Sequence, residues 1–173
     1  MTYDFHKEFP GSGVGKHYDF HLAQLRYAQQ QYRRPIRVLD YGAGKGGTTE
    51  WLKLQGFDVT AYDPYYPANS DTERLKLDYD AIISGDVLEH IHTVDIPWDY
   101  FKTARHNIHV IDLTPAKKTL PSGENAHVNL QTQEAWRETF YTHLGGEVIE
   151  QHTYTEPDKT FGKRERLCLH IEL

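Results

Sequence analysis

The stretch Arg37-Val38-Leu39-Asp40-Tyr41-Gly42-Ala43-Gly44-Lys45-Gly46-Gly47, continuing into Thr48-Thr49-Glu50-Trp51-Leu52, decides the fold. An apolar run from Ile36 to Leu39 meets a glycine cluster and then a segment of helical character, the order of a buried strand, a tight turn and a helix N-terminus. Glycines at such a turn let the backbone fold sharply and approach a ligand closely. The N–H groups at the helix start suit a negatively charged ligand group. Gly42, Gly44 and Gly47 fit the G-x-G-x-x-G dinucleotide pattern, which alone discriminates poorly. Asp40 tips the balance, because a carboxylate there repels a pyrophosphate but accepts hydrogen bonds from an ammonium group.

Working outward, Phe57 to Asp63 reads as a second strand that ends in an acid, after a helix from Thr49 to Gln55 stopped by Gly56. Asp63 lies 21 positions after Gly42, the spacing at which parallel strands bring a carboxylate to a ribose diol. Pro64-Tyr65-Tyr66-Pro67 then turns the chain.

The glycine stretch resembles the first motif of class I S-adenosylmethionine (SAM)-dependent methyltransferases, with Asp40, Gly42, Gly44 and Gly46 on the family's positions. The resemblance runs from about Ile36 to the C-terminus. It implies a single-domain α/β Rossmann-like fold, its sheet mostly parallel with an antiparallel last strand. It also implies SAM as cofactor, held by Asp40, Tyr41, Gly42, Gly44, Gly46, Asp63 and Pro64, with Asp86 at the same site. One departure stands out. Only Ala68 to Tyr79 separates the Pro64 turn from the next strand, where the family usually fits a helix, a third strand and an adenine-contacting loop. The domain is therefore shortened around the third strand, and Leu75 to Leu77 is the stretch expected to wall the adenine.

With 173 residues, 38% hydrophobic and 25% charged, the chain suits one globular domain. Its single cysteine, Cys168, rules out an intrachain disulfide and a cysteine-rich zinc site and fits the reducing cytoplasm. The N-terminus lacks the apolar core of a signal peptide, and no apolar run is long enough to span a bilayer. A net charge of −6 argues against a generally basic nucleic-acid binder.

Residues 1 to 35 read as an N-terminal arm and helix that cover the substrate, and 36 to 173 as the methyltransferase domain. In the arm, Phe9 to His17 is only superficially P-loop-like: Pro10 takes the first glycine position and His17 the Ser/Thr position. Tyr18 to Tyr32 has helical spacing. Later strands are expected over Tyr79–Ser84, Ile108–Leu113, Glu147–Tyr154 and Arg166–Leu173, with a polar connection from Thr155 to Glu165. Helices are expected over Tyr100–His106 and Leu130–Leu144, the latter capped by Thr132.

Asp86-Val87-Leu88-Glu89-His90 carries the candidate chemistry. If a helix starts at Asp86, positions i, i+3 and i+4 share a face, and His127 follows the next strand. The pattern resembles the E-x-x-E-H motif of ubiquinone-biosynthesis O-methyltransferases and of small-RNA 3′-end 2′-O-methyltransferases, whose acids and histidine hold a divalent ion. That likeness implies Mg²⁺ or Mn²⁺ on Asp86, Glu89, His90 and His127, although Asp86 replaces the first Glu. The alternative is metal-free, with His90 or His127 as general base beside Glu89, and it is the one favoured. Amino-directed DNA methylation and cytosine-C5 methylation are not supported, since the D/N/S-P-P-Y/F segment and the Pro-Cys nucleophile are missing from this region.

The expected function is methyl transfer to oxygen or nitrogen of a small-molecule acceptor. Three alternatives stay open: an RNA acceptor held by Arg33, Arg34, Lys163 and Arg164, a SAM-binding protein without activity, and an NAD-dependent oxidoreductase. Acceptor identity and oligomeric state are not legible in the sequence.

Overall fold

The computed structural model describes residues 17–173; the glycine run of the N-terminal arm lies outside them. The described chain forms two compact units that meet in sequence at Gly85/Asp86.

The first unit contains helix α1 (Tyr18–Gln29), strand β1 (Arg37–Tyr41), helix α2 (Gly47–Leu54), strand β2 (Asp58–Tyr62) and strand β3 (Ala81–Gly85). Its strands run parallel in the order β2-β1-β3, with Leu39 opposite Thr60 on one side and Ile82 on the other. Val38, Leu39 and Ala81 to Ile83 are fully buried, as befits parallel strands covered on both faces. Leu25 and Ala28 of α1 and Leu52 of α2 complete this core. At Gly85 a Cβ would come within 3.1 Å of His17 and 3.3 Å of His21, so the small residue is what lets α1 approach β3. Arg34 grips Asp80 with two hydrogen bonds of 2.7 Å, and Asp80 also accepts from the Arg37 N–H. Burial pushes the Asp80 carboxyl up, but these donors outweigh it and hold it below its ordinary value.

Between β2 and β3 lie only two short 3₁₀ turns, Pro67–Asn69 and Thr72–Lys76. The expected shortening is real: no third strand stands there. Leu77, proposed as adenine wall, is 53% exposed.

The second unit contains helix α3 (Trp98–Phe101), strand β4 (His106–Asp112), helix α4 (Gln133–Leu144), and strands β5 (Glu147–Asp158) and β6 (Gly162–Glu172). β6 lies between β4 and β5 and is antiparallel to both, so the last strand alone is reversed, as expected. Thr132 caps α4, its Oγ1 accepting from the Ala135 N–H at 3.2 Å, and Trp136 and Phe140 are fully buried.

Three local expectations fail. The helix placed over Tyr100–His106 is one turn, Trp98–Phe101, and His106 already opens β4; burial of the whole of β4 overrides the local pattern. The polar connection from Thr155 to Glu165 is mostly strand, because Glu156 pairs in register with Arg164 and Asp158 with Gly162. Asp158 builds the tight turn by accepting from the Thr160 and Phe161 N–H groups. Finally, no α-helix starts at Asp86. That residue sits at φ +54°, followed by a 3₁₀ turn over Leu88–His90. No helix among the described residues is long and apolar enough to cross a membrane.

Candidate active site

In the first unit, β1 delivers Asp40 to a turn whose Gly42, Gly44 and Gly46 have φ of 75°, 53° and 82°. These left-handed values strain any side-chain-bearing residue. The turn is stitched to β2: the Gly42 and Ala43 N–H groups donate to Tyr62 O at 2.8 and 3.0 Å. Those two donors are therefore used internally, and the ones that helix geometry leaves without partners in the helix belong to the first turn of α2. The Gly44 N–H donates to Asp63 Oδ2 at 2.9 Å, and the Tyr65 N–H to Asp63 Oδ1 at 2.8 Å. Asp63 is thus fixed just past the end of β2 and is 6% exposed.

Asp40 is 4% exposed and accepts from Thr49 Oγ1 at 2.7 Å. Burial pushes its carboxyl up to about 6, against the Thr49 bond and with help from the nearby Asp63 charge. Tyr41 stands beside it, its phenol pushed up to about 12 by burial and then by Tyr62, while Pro64 is exposed at the following turn. The structure therefore gathers the carboxylates and glycines singled out from the sequence at one turn. Against the flank of α2 a cleft of about 290 Å³ opens, lined by Lys45, Thr49, Thr60, Asn69 and Arg74 among others.

In the second unit, the Asp86 N–H donates to Val110 O at 2.9 Å. Its carboxylate accepts two hydrogen bonds from Arg166, Nε at 2.9 Å and Nη2 at 3.2 Å. Arg166 is 3% exposed and also bonds Glu156 at 2.7 Å, with Asp112 at 3.6 Å. Arg164 pairs with Asp112 and Asp158. Glu89 is fully buried. Its Oε1 accepts from the Asp112 N–H at 3.3 Å, and its Oε2 has no hydrogen-bond partner among the described residues. Burial first, and then the charge of Asp86, raise the Glu89 carboxyl well above its ordinary value and favour its protonated form.

His90 Nδ1 lies 2.8 Å from Ala126 O, and His127 Nδ1 lies 2.6 Å from Thr114 O. A carbonyl only accepts, so both Nδ1 atoms carry the proton and both Nε2 atoms keep a lone pair. The rings meet edge to face at 4.6 Å. Burial lowers both: His90 to about 4, with His127 as second cause, and His127 in spite of the opposing Asp112 charge. The loop that carries His127 is organised by Asn125, whose side chain accepts from the Ala116 and His127 N–H groups.

Two overlapping trios result: Glu89, His90 and His127, and Asp86, Glu89 and Asp112, with the ligand-capable atoms of each within 4.8 Å of one another. Sequence reasoning assigned no part in this cluster to Asp112, Arg164 or Arg166. Asp112 had a signal, an acid ending an apolar strand as Asp40 and Asp63 do. Arg166 leads directly into Leu167-Cys168-Leu169, also a signal, since an arginine buried in a strand needs acids around it.

A family model described as methyltransferase domain matches residues 17–151, across both units. No curated protein matches the chain by sequence. Among solved structures, a SAM-dependent methyltransferase from Archaeoglobus fulgidus aligns over 97% of this chain and 98% of its own, at TM-score 0.55 and 17% identity. Magnesium protoporphyrin IX methyltransferase from Synechocystis, solved with S-adenosylhomocysteine, aligns over 88% and 83%, at TM-score 0.55 and 15% identity. The Burkholderia thailandensis 1,6-didemethyltoxoflavin-N1-methyltransferase, solved with its substrate and S-adenosylhomocysteine, aligns over 90% and 79%, at 0.52 and 18%. At these identities the structures speak for the Rossmann-like α/β fold, and the family model carries the assignment: the chain belongs to the methyltransferase-domain family.

Proposed function

We propose that the protein transfers a methyl group from SAM to an oxygen or nitrogen of a small-molecule acceptor, in the cytoplasm. The observation that carries this reading is the pair of buried carboxylates at the ends of adjacent parallel strands, Asp40 and Asp63, across a turn of left-handed glycines. The donor set fits the cofactor at both ends. Asp63, held by the Gly44 and Tyr65 amides, presents a carboxylate to a ribose diol, and Asp40 presents a buried carboxylate to an ammonium group. A pyrophosphate at the glycine turn would meet the Asp40 carboxylate, which disfavours NAD. SAM supplies an electrophilic methyl group on a sulfonium; the chain's task is alignment and, where the acceptor loses a proton, a base.

His127 and His90 present unprotonated Nε2 atoms for that purpose, their tautomers set by Thr114 and Ala126. Glu89 presents a buried oxygen beside them. The same three residues favour a second scheme, a divalent ion at the acceptor side, because metal-ligating histidines turn their other N–H to a carbonyl in this way. Asp86 is the weakest ligand of the four, being paired with Arg166. An RNA acceptor loses support, since Arg34 is paired with Asp80 and Arg164 with Asp112 and Asp158. Calorimetry with SAM, S-adenosylhomocysteine and NAD tests the reading. Binding of the first two and none of NAD is expected; NAD binding alone would move the protein to the oxidoreductases.

A further inference from the structure

With only the short connection from Pro64 to Tyr79 after it, β2 is the outermost strand of its unit, and among the described residues one edge of β2 has no neighbouring strand. An unpaired strand edge needs other donors for its carbonyls. Arg74 supplies one: its Nη1 donates to Ala61 O at 2.6 Å and to Asn69 Oδ1 at 3.2 Å. Its Nη2 reaches Ala68 O at 3.3 Å, and Tyr79 donates its hydroxyl to Arg74 O at 3.0 Å. Asn69, held in this way, turns its Nδ2 to Gly44 O at 2.7 Å. Its own carbonyl accepts from the Asp63 N–H at 3.0 Å. The ring closes at Gly44, whose N–H donates to Asp63 Oδ2.

Gly44 is at φ +53°, and a glycine peptide rotates easily unless something holds it. Asn69 holds the carbonyl of this one and the backbone of Asp63 at the same time. We propose that Asn69, anchored by Arg74, is a positioning residue for the cofactor: by holding the Gly44 carbonyl and the Asp63 backbone N–H it fixes the Gly44 φ and ψ that aim the Gly44 N–H at the Asp63 carboxylate, replacing what a third strand and its loop would otherwise hold. The inference rests on the SAM reading above.

Asn69→Asp separates the two bonds, since it keeps an oxygen for Arg74 and loses the donor to Gly44 O. We expect it to weaken S-adenosylhomocysteine at least about tenfold by calorimetry, the scale of one lost well-aligned hydrogen bond at a buried site. The Gly44 amide should exchange faster by NMR, while the amides of Val38 and Ile82 and the melting temperature stay near wild type. Arg74→Lys, which loses the fork but keeps the charge, should show the same pattern more weakly and serves if Asn69→Asp does not fold. Wild-type affinity or unchanged Gly44 exchange in a folded variant overturns the proposal. If the wild-type protein binds no S-adenosylhomocysteine, the SAM reading fails, and Gly44 exchange alone still decides the role of Asn69.

Discussion

Asp40 offers a test in which two observables move in opposite directions. Its carboxyl has an ordinary value of 3.8 and is pushed to about 6 by burial. An acid whose folded value lies above its unfolded one costs stability as pH rises through that window. Between pH 4 and 6 the unfolded chain is already ionised while the folded protein resists. At about 1.36 kcal/mol per pH unit, the cost in the ligand-free protein reaches roughly 3 kcal/mol above pH 6. An ammonium group delivered by the ligand offsets it. The α-amino group of SAM stays mostly protonated below pH ~7.7, so the pH dependence of binding between 5 and 7 reports Asp40. About nine in ten molecules carry the charge at pH 7 and about one in ten at pH 5, so SAM should bind roughly tenfold more weakly at pH 5, about 1.4 kcal/mol. Asp40→Asn should lower affinity at pH 7, abolish the slope, and leave the free protein as stable as wild type or more so. Thr49→Val removes the bond that opposes the shift, so the midpoint should move to higher pH. Calorimetry at constant ionic strength and thermal melts of the free protein measure both sides. A slope that survives in Asp40→Asn, or an affinity flat from pH 5 to 7 in the wild type, refutes the argument.

Asp63→Ala should weaken SAM by about 1–3 kcal/mol, the loss of charge-assisted hydrogen bonds to a diol; calorimetry on a variant with wild-type circular dichroism checks it, and unchanged affinity rejects this site. If an ion sits on Glu89, His90 and His127, EDTA should abolish activity and Mg²⁺ or Mn²⁺ restore it, and Glu89→Gln should remove activity with SAM affinity unchanged. In the metal-free scheme EDTA does nothing and elemental analysis finds no metal; we expect this outcome. If residues 1–35 cover the acceptor, limited proteolysis near Gly13 should slow when SAM and a true substrate are both present; cleavage indifferent to ligands makes the segment a tail.

Local sequence was sufficient wherever one short stretch carried both the burial pattern and its punctuation. Ile36 to Gly47 announces a strand, a turn and a helix because both faces of β1 are buried and glycine takes the left-handed φ values that follow without strain. Asp40 and Asp63 were legible as strand-end acids because parallel strands end at the same edge, which puts one near the end of β1 and the other just past the end of β2. Thr132 and Trp136 were legible for the same reason: a cap and an apolar face are properties of one helix. What tertiary structure decided is everything that depends on groups distant in the chain. Asp86 was given a helix by local spacing, yet it takes a left-handed conformation with its carboxylate gripped by Arg166, 80 residues away. Glu89 meets Asp112 from β4, and His127 arrives on a loop whose course is set by Asn125 and Thr114. The polar stretch around Glu156 becomes strand because cross-strand charges face each other only once the hairpin forms. Spacing along a chain governs its backbone hydrogen bonds; partners for buried charges are chosen by the packing that brings them within reach.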